Sequence, residues 1–391
     1  MVEVGLEALG REPRRWIPRG ARVGLLFNPA SVTRGYRLSR DVVAEAVGES
    51  LVALFGPQHG VGADVQDNMV ESPHGVDPRL GIPVWSLYSD SRSPDRAMLE
   101  GIDHLLVDLQ DVGCRVYTFV WTLRLAMEAC GKAGVKVVVL DRPNPLGGAA
   151  VEGNLLRPEW ASFVGLEPLP MRHGLTLGEM ALWFRDARGI SCEVEVVPVA
   201  GWSREMLWPE TGRPWVMTSP NMPSFETALV YPGGVLFEGT IASEGRGTTR
   251  PFEIVGASWV GPERLSDALN GLGLPGVVFR PVTFRPTFQK WAGRTCGGVH
   301  IHVADPVSYR PYRTGLALLQ AFWRLHRGDG FGWREPPYEY ETERLPIHLL
   351  LGDHRVREGI EAGADIEELE RLWAEDLRGW EEERLPCLLY P

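Results

Sequence analysis

The sequence predicts an α/β protein of two domains, the first built on a parallel sheet. Its 391 residues are more than one ordinary core accommodates. Hydrophobic residues make up 44% of the chain and charged residues 23%, which is the balance of a globular protein. Short continuous apolar runs alternate with helical segments, and this alternation is typical of parallel strands covered on both faces.

The first part of the chain supplies the strands of this sheet. Apolar runs that end at turn residues predict strands at 22–27, 51–55, 84–87, 104–108 and 135–140. Helical patterns predict helices at 39–49, 94–100 and 122–133. A further helix is expected at 176–186, because Thr176 and Glu179 have the spacing of a capping box, and a further strand at 193–198.

The second part of the chain has a different character. A stretch from 201 to 256 is rich in Pro, Gly and Trp and shows little periodicity, so we interpret it as a functional surface. Beyond it, helices are expected at 262–272, 314–326 and 366–383, and strands at 277–280 and 298–303. We place a domain boundary near residue 228, which gives domains of residues 1–228 and 229–391.

Charge and termini exclude several classes of protein. The formal net charge is −11, with acids and bases interleaved and no basic patch, so no nucleic-acid partner is expected. The first residues have acids where a signal peptide has bases, and no apolar run reaches the length of a membrane span. We therefore expect a soluble, cytoplasmic protein that does not act at a membrane; the oligomeric state is left open.

The sequence also lacks the common cofactor signatures. The five cysteines are odd in number and widely spaced, which predicts neither a disulfide framework nor a zinc knuckle. No Gly-x-Gly-x-x-Gly follows a strand, no P-loop is present, and no Gly-x-Ser-x-Gly elbow occurs. His300 and His302 share a strand face without a placed third ligand. We therefore expect no cofactor and no metal.

Polar side chains follow the predicted parallel strands where each strand ends. Ligands of open parallel sheets bind outside these carboxyl ends. Asp108, Asp111, Arg115 and Tyr117 lie within ten residues after the fourth strand. A turn alone needs Gly, Pro or Asn, not two acids, an arginine and a phenol. We therefore expect a functional site at this edge.

A second set of charged residues lies among glycines, which permit close approach of the backbone to a ligand. Glu152, Glu238 and Glu244 each precede a glycine, and Arg246 follows Glu244 by two positions. A single Glu-Gly pair also fits an exposed turn. The density of polar groups from 244 to 249 favours a site.

Several ordered motifs resemble the NamZ-type exo-β-N-acetylmuramidase family. They include Gly-Pro-Gln-His-Gly at 56–60, Asp-Leu-Gln-Asp-Val-Gly-Cys-Arg-Val-Tyr-Thr at 108–118, Ser-Pro-Asn-Met-Pro at 219–223 and Ser-Glu-Gly-Arg-Gly-Thr-Thr at 243–249. The resemblance runs from about residue 22 to about 330. It implies a Rossmann-like N-terminal domain, a smaller α+β C-terminal domain and an active-site cleft between them. It also implies release of N-acetylmuramic acid from the non-reducing end of peptidoglycan fragments, in cell-wall recycling.

One position departs from the family pattern. Gln58 stands where the family has the glutamate of its Pro-Glu-His-Gly motif, which looks like a catalytic carboxylate there. An amide neither donates a proton as a general acid nor acts as a carboxylate nucleophile. Another acid has taken over, or the position does not transfer protons, or the activity is lost or altered. The last case leaves a catalytically inactive muropeptide-binding protein as the rival hypothesis, beside a hydrolase of a different sugar.

Glycoside hydrolysis needs an acid at the leaving oxygen and usually a second carboxylate. We expect Glu244 or Glu238 as the acid, with Asp108 or Asp111 stabilising the cation-like centre. Retaining, inverting and substrate-assisted routes stay open, and in the last Gln58 would orient the acetamido group of the substrate.

The remaining candidate residues are expected to bind the sugar. N-acetylmuramic acid carries a lactyl group that ends in a carboxylate. An arginine binds a carboxylate bidentately, so the candidates for binding this group are Arg115, Arg142 and Arg246. Hydrogen bonds to the sugar are expected from His59, Tyr117, Asp141, Asn144, Glu152, Asn221 and Thr248. The alternative for Arg115 is a buried ion pair with Asp108 that supports the loop.

Overall fold

The computed structural model describes residues 1–66 and 69–391. Its strands are β1 (Val23–Phe27), β2 (Leu51–Gly56), β3 (Gly75–Val76), β4 (Pro83–Ser86), β5 (His104–Asp108), β6 (Lys136–Leu140), β7 (Val194–Val197), β8 (Ile254–Ala257), β9 (Val277–Phe284) and β10 (Cys296–Val303). Its helices are α1 (Gly5–Arg11), α2 (Pro13–Trp16), α3 (Ser39–Val47), α4 (Phe119–Ala133), α5 (Leu177–Asp186), α6 (Phe225–Gly234), α7 (Pro262–Asn270), α8 (Pro311–His326), α9 (Pro346–Leu351), α10 (His354–Ala362), α11 (Ile366–Arg371) and α12 (Ala374–Arg384).

The first seven strands form one sheet in the order β3-β4-β2-β1-β5-β6-β7. Strand β1 pairs in parallel with β2 on one side and with β5 on the other, so Phe27 lies opposite Asp108. All further pairs are parallel except that of the two-residue edge strand β3 with β4. The predicted parallel sheet is therefore confirmed, and with it the carboxyl edge at which the polar loops meet.

Each central strand is apolar on both faces because each face is covered. Leu25 of β1 joins the core beneath α1 and α3, whereas its neighbour Leu26 joins the core on the opposite face. Successive side chains of a strand point to opposite faces, so a continuous apolar run fills both cores. Burial of each such leucine, relative to leaving it exposed to water, stabilises the folded state by roughly 1.5–3 kcal/mol.

The second part of the chain forms a three-stranded antiparallel sheet of order β8-β10-β9, packed against α7, which in turn packs against α8. Its core is continuous with the core of the first part. Helices α6 and α8 cross at Gly233 and Gly315, where a Cβ on Gly233 would lie 2.1 Å from the carbonyl oxygen of Pro311. Only glycine allows this approach. The mixed α/β fold with a smaller second sheet is as expected.

The C-terminal helices return to the first sheet. Trp380 of α12 packs edge-on against Trp183 of α5, with ring centroids 5.2 Å apart. This contact fixes the second part of the chain against the first. No helix among the described residues has the length and apolar composition needed to cross a lipid bilayer.

Several predicted elements need correction. The helix expected at 94–100 is wrong, because this segment forms turns in which the Asp95 side chain accepts from the amide of Met98 at 2.8 Å. The helix expected at 366–383 is two helices, α11 and α12, separated at the buried Trp373. The stretch 201–256 contains α6 and β8, although its composition shows little periodicity. The capping box of Thr176 and Glu179 is confirmed.

Candidate active site

A cavity that opens to solvent, with about 470 Å³ of empty space including its mouth, lies at the carboxyl edge of the first sheet, between it and the second part of the chain. Its sheet side is formed by the loop after β2 and by the loop that joins β5 to α4. Its other side is formed by α6, by the loop after it and by a hairpin near residue 339. The polar residues that line it are Gln58, His59, Tyr117, Thr118, Ser219, Asn221, Tyr231, Glu238, Arg246, Tyr338 and Glu339.

A tight turn after β2 presents Gln58 and His59 to the cavity. The amide of Gly60 donates to the carbonyl of Pro57 at 2.9 Å, and His59 has a positive φ of 71°. A positive φ at the third residue of a four-residue turn is the type II arrangement. The Oε1 of Gln58 accepts from the hydroxyl of Thr118 at 2.6 Å, which fixes the amide.

The imidazole of His59 is neutral. Its Nδ1 lies 2.6 Å from the carbonyl oxygen of Val65, and a carbonyl only accepts, so Nδ1 carries the proton. Burial, together with the nearby charge of Arg246, lowers the pKa of His59 to about 4. The Nε2 of His59 is therefore left as a hydrogen-bond acceptor at neutral pH.

A hairpin turn at Tyr338–Glu341 brings a carboxyl group into the cavity from the second part of the chain. The backbones of Tyr338 and Glu341 exchange two hydrogen bonds of 2.9 Å. Between them, Glu339 and Tyr340 have φ values of 48° and 66°. Two positive φ values define a type I′ turn, which normally takes Asn and Gly. Holding Glu and Tyr there costs of order 1–3 kcal/mol for each residue, and such strain gathers at functional sites.

The carboxyl group of Glu339 is buried and held at both oxygens. Its Oε1 accepts from Nε2 of Gln58 at 3.2 Å, and its Oε2 accepts from the hydroxyl of Tyr88 at 2.7 Å. Burial raises the pKa of Glu339, and the negative charge of Glu238 raises it further, whereas the two hydrogen bonds oppose the rise. Glu339 therefore holds its proton more tightly than an ordinary carboxyl group.

The second carboxyl group of the cavity, Glu238, has the opposite tuning. Its Oε1 lies 2.6 Å from Nη2 of Arg246, and its Oε2 accepts from the hydroxyl of Tyr338 at 2.6 Å. Burial alone would raise the pKa of Glu238. The Arg246 charge and the Tyr338 hydroxyl outweigh burial and bring that pKa below its usual value. The cavity thus contains one carboxyl group that favours its proton and one that favours ionisation.

Other cavity residues are fixed by contacts with their own loops. The hydroxyl of Tyr117 donates to Oγ1 of Thr218 at 2.6 Å, and burial raises the pKa of Tyr117. The side-chain amide of Asn221 donates to the carbonyl of Gln66 at 3.0 Å. Polar groups with fixed partners are preorganised for a ligand.

Asp108 and Arg142 lie outside the cavity lining and pair with each other. The two oxygens of Asp108 lie 2.5 Å and 3.0 Å from Nε and Nη2 of Arg142, and both side chains are buried. The alternative ion pair of Asp108 with Arg115 is wrong. Arg115 instead donates to backbone carbonyls, two of them at the end of α9, Leu350 and Leu351, at 2.8 Å and 2.9 Å. It joins the two parts of the chain.

The other predicted site residues outside the lining bind protein groups as well. Glu244 lies 2.6 Å from Nζ of Lys290. Asp111 accepts from the amide of Gly113, and Asp141 accepts from the hydroxyl of Thr176. Further contacts of this kind involve Asn144 with Leu175, Glu152 with Tyr312, and Thr248 with Gly245. The structure thus brings together six of the predicted residues in the cavity: Gln58, His59, Tyr117, Asn221, Glu238 and Arg246.

Sequence reasoning missed the hairpin that carries Glu339. The motifs that carry the family resemblance end before residue 330. A local signal was present in Tyr338-Glu-Tyr-Glu341, where aromatic and acidic residues alternate directly after two prolines. Thr118 and Ser219 lie within the motifs at 108–118 and 219–223, and no sequence pattern marks Tyr231 as a site residue.

The fold and the cavity define a two-part α/β protein with a polar site that holds one carboxyl group of raised pKa and one of lowered pKa. The chain belongs to the NamZ family. Residues 23–226 match the family described as exo-beta-N-acetylmuramidase NamZ, N-terminal, and residues 229–390 match its C-terminal counterpart.

Characterised and solved relatives cover the whole chain. The peptidoglycan beta-N-acetylmuramidase NamZ of Bacillus subtilis is 39% identical over 389 residues, which span 100% of this chain and 91% of that protein. Two crystal structures of DUF1343 family proteins from Bacteroides fragilis match 100% of this chain and 99% of theirs. Their TM-scores are 0.89 and 0.77, at 33% and 28% identity.

Proposed function

We propose that this protein is an exo-β-N-acetylmuramidase that releases N-acetylmuramic acid from the non-reducing end of peptidoglycan fragments. The observation that carries the proposal is the pair of carboxyl groups in one cavity, Glu238 and Glu339, with pKa values displaced in opposite directions. Two carboxyl groups whose environments move their pKa values apart are the usual acid and charge-stabilising groups of a glycosidase. The family membership supports the same reaction class.

The form of the cavity supports an exo-acting enzyme on a single terminal sugar. It is lined by both hydrogen-bond donors and hydrogen-bond acceptors, including the acceptor Nε2 of His59 and the side-chain amide of Asn221. Of the three arginines considered for the lactyl carboxylate, Arg246 lines the cavity, whereas Arg115 and Arg142 do not. We assign the lactyl contact to Arg246 on this basis. A role in cell-wall recycling in the cytoplasm fits such a product.

A catalytically inactive muropeptide-binding protein is the second candidate, and Gln58 favours it. An amide at this position removes one carboxyl group that the family places there. A binding protein would keep the cavity and its hydrogen bonds and would need no proton donor. The presence of Glu339 against Gln58 is the observation that favours an enzyme instead.

The experiment measures product release from a chromogenic β-N-acetylmuramide, beside the matching β-N-acetylglucosaminide and a Gln58→Glu variant. We expect the unaltered protein to turn over the muramide and to leave the glucosaminide largely intact. Binding of the muramide without turnover, by both the unaltered protein and the variant, would establish the binding protein. Preference for the glucosaminide would assign the site to a different sugar.

A further inference from the structure

We infer that Glu339 is the general acid of this protein and that Gln58 is a positioning residue for it. The inference rests on the proposed glycosidase function and names a residue for its central step. The proton donor of the cavity then comes from the second part of the chain, on the tip of a strained turn, and not from the loop after β2.

The contacts of Glu339 are those of a group held ready to lose a proton. Its two oxygens are bound by separate donors, Gln58 and Tyr88, so the carboxyl plane is fixed. Both donors favour the ionised form that remains after proton transfer. Burial and the charge of Glu238 keep the proton in place until then.

The side-chain amide of Gln58 is itself fixed through its oxygen atom. Gln58 therefore positions Glu339 and does not react. Its Oε1 accepts from the hydroxyl of Thr118, so its Nε2 is directed at Glu339. An amide at 58 offers a donor at any pH. A carboxyl group at 58 would instead share a proton with Glu339 across the same 3.2 Å.

The remaining carboxyl groups fit this role less well. Glu238 is paired with Arg246 and accepts from Tyr338, and its lowered pKa suits a carboxylate that stabilises positive charge. Glu244 lies behind the cavity lining, at 2.6 Å from Nζ of Lys290. Of the described acids that line the cavity, Glu339 is thus the one whose pKa lies above the usual value for a carboxyl group.

The step balances with groups that are present. Glu339 transfers its proton to the glycosidic oxygen as the bond from that oxygen to C1 breaks. The electron pair of the bond stays on the oxygen, which leaves as a hydroxyl of the neighbouring sugar. The Glu238 carboxylate stabilises the positive charge at C1. A water molecule then supplies the hydroxyl at C1, and its proton restores the acid form of Glu339.

A test uses the intact protein with two β-N-acetylmuramides that differ in their leaving groups. One releases a nitrophenolate, which leaves without a proton, and the other releases a sugar hydroxyl, which must be protonated. We expect Glu339→Gln to lower kcat/KM for the sugar leaving group by about 10²–10⁴-fold and to spare the nitrophenyl substrate largely. In Glu339→Gln we also expect the fall of kcat/KM on the alkaline side of the pH profile to disappear.

Glu335→Gln is the matched control, since it makes the same chemical change at an exposed position four residues earlier. Tyr88→Phe keeps the acid and removes one donor, so it should keep the leaving-group dependence of the unaltered protein and move the alkaline limb to higher pH. Equal losses on both substrates in Glu339→Gln, with an unchanged alkaline limb, would reduce Glu339 to a structural residue. Failure of the unaltered protein to cleave either muramide would instead overturn the proposed function, and the acid assignment with it.

Discussion

The side-chain amide of Gln58 donates to the carboxylate of Glu339 across 3.2 Å, although 281 positions separate the two residues in the sequence. One residue stands on the loop after β2 and the other on the hairpin that closes the cavity from the second part of the chain. The contact therefore depends on how the two parts are docked. It also places a carboxyl group within hydrogen-bonding distance of residue 58, for which the family resemblance implies a glutamate.

The pH dependence of activity should respond to residue 58. The acid form of Glu339 is lost as the pH rises through its raised pKa, so activity falls on the alkaline side. Gln58→Ala removes a donor to the carboxylate, and Gln58→Glu adds a negative charge beside it. Both changes raise the pKa of Glu339 further and move the alkaline limb of kcat/KM to higher pH, the second more than the first. A limb that moves to lower pH in Gln58→Glu would contradict the contact.

Glu238 and Glu244 should differ sharply when each is changed to glutamine. Glu238→Gln removes an ionised group from the cavity and should lower kcat on the order of a hundredfold or more. Glu244→Gln leaves the partly buried Lys290 ammonium with backbone carbonyls but without its carboxylate, so it should destabilise the fold by about 1–3 kcal/mol. Turnover per folded molecule, measured beside denaturant unfolding, separates the two effects. A loss of turnover confined to Glu244→Gln would return the acid role to Glu244.

The buried ion pair of Asp108 and Arg142 should stabilise the fold and take no part in catalysis. Asp108→Asn leaves the Arg142 charge without its partner in a buried site, at a cost of about 3–5 kcal/mol in the free energy of unfolding. Asp108→Asn combined with Arg142→Met should regain part of that loss, because no buried charge remains. Denaturant unfolding of the two single variants and the double variant tests this. Unchanged stability with lost turnover in Asp108→Asn would place Asp108 in the chemistry.

His59 should stay neutral well below the usual pH for a histidine. The unfolded imidazole takes up a proton below about pH 6.5, whereas in the folded protein its pKa is about 4. The unfolded state therefore binds more protons between these values, and the free energy of unfolding falls as the pH falls through this window. His59→Gln should flatten that fall. An imidazole NMR resonance of His59 that titrates near pH 6.5 would show that burial does not govern it.

Local pattern predicted much of the fold. The apolar runs of β1, β2, β5 and β6 were sufficient to predict a parallel sheet, because a strand buried on both faces has no polar alternation. The capping box at Thr176 could also be predicted, because its two partners lie only three positions apart in the sequence. The expected helix at 94–100 failed because a short helical pattern has no intrinsic stability, and side-chain bonds to the backbone favour turns there.

The sequence by itself determined the sheet, the family and six residues of the cavity, because periodicity and contiguous motifs are local properties of the chain. Only the tertiary structure decided which charged groups face the cavity. It paired Asp108 with Arg142 and Glu244 with Lys290, away from the lining, and it brought Glu339 to Gln58. Pairing of this kind depends on the path of the chain between distant segments. The sequence around a carboxylate in a loop does not show whether its partner in the folded protein is a buried cation or a ligand.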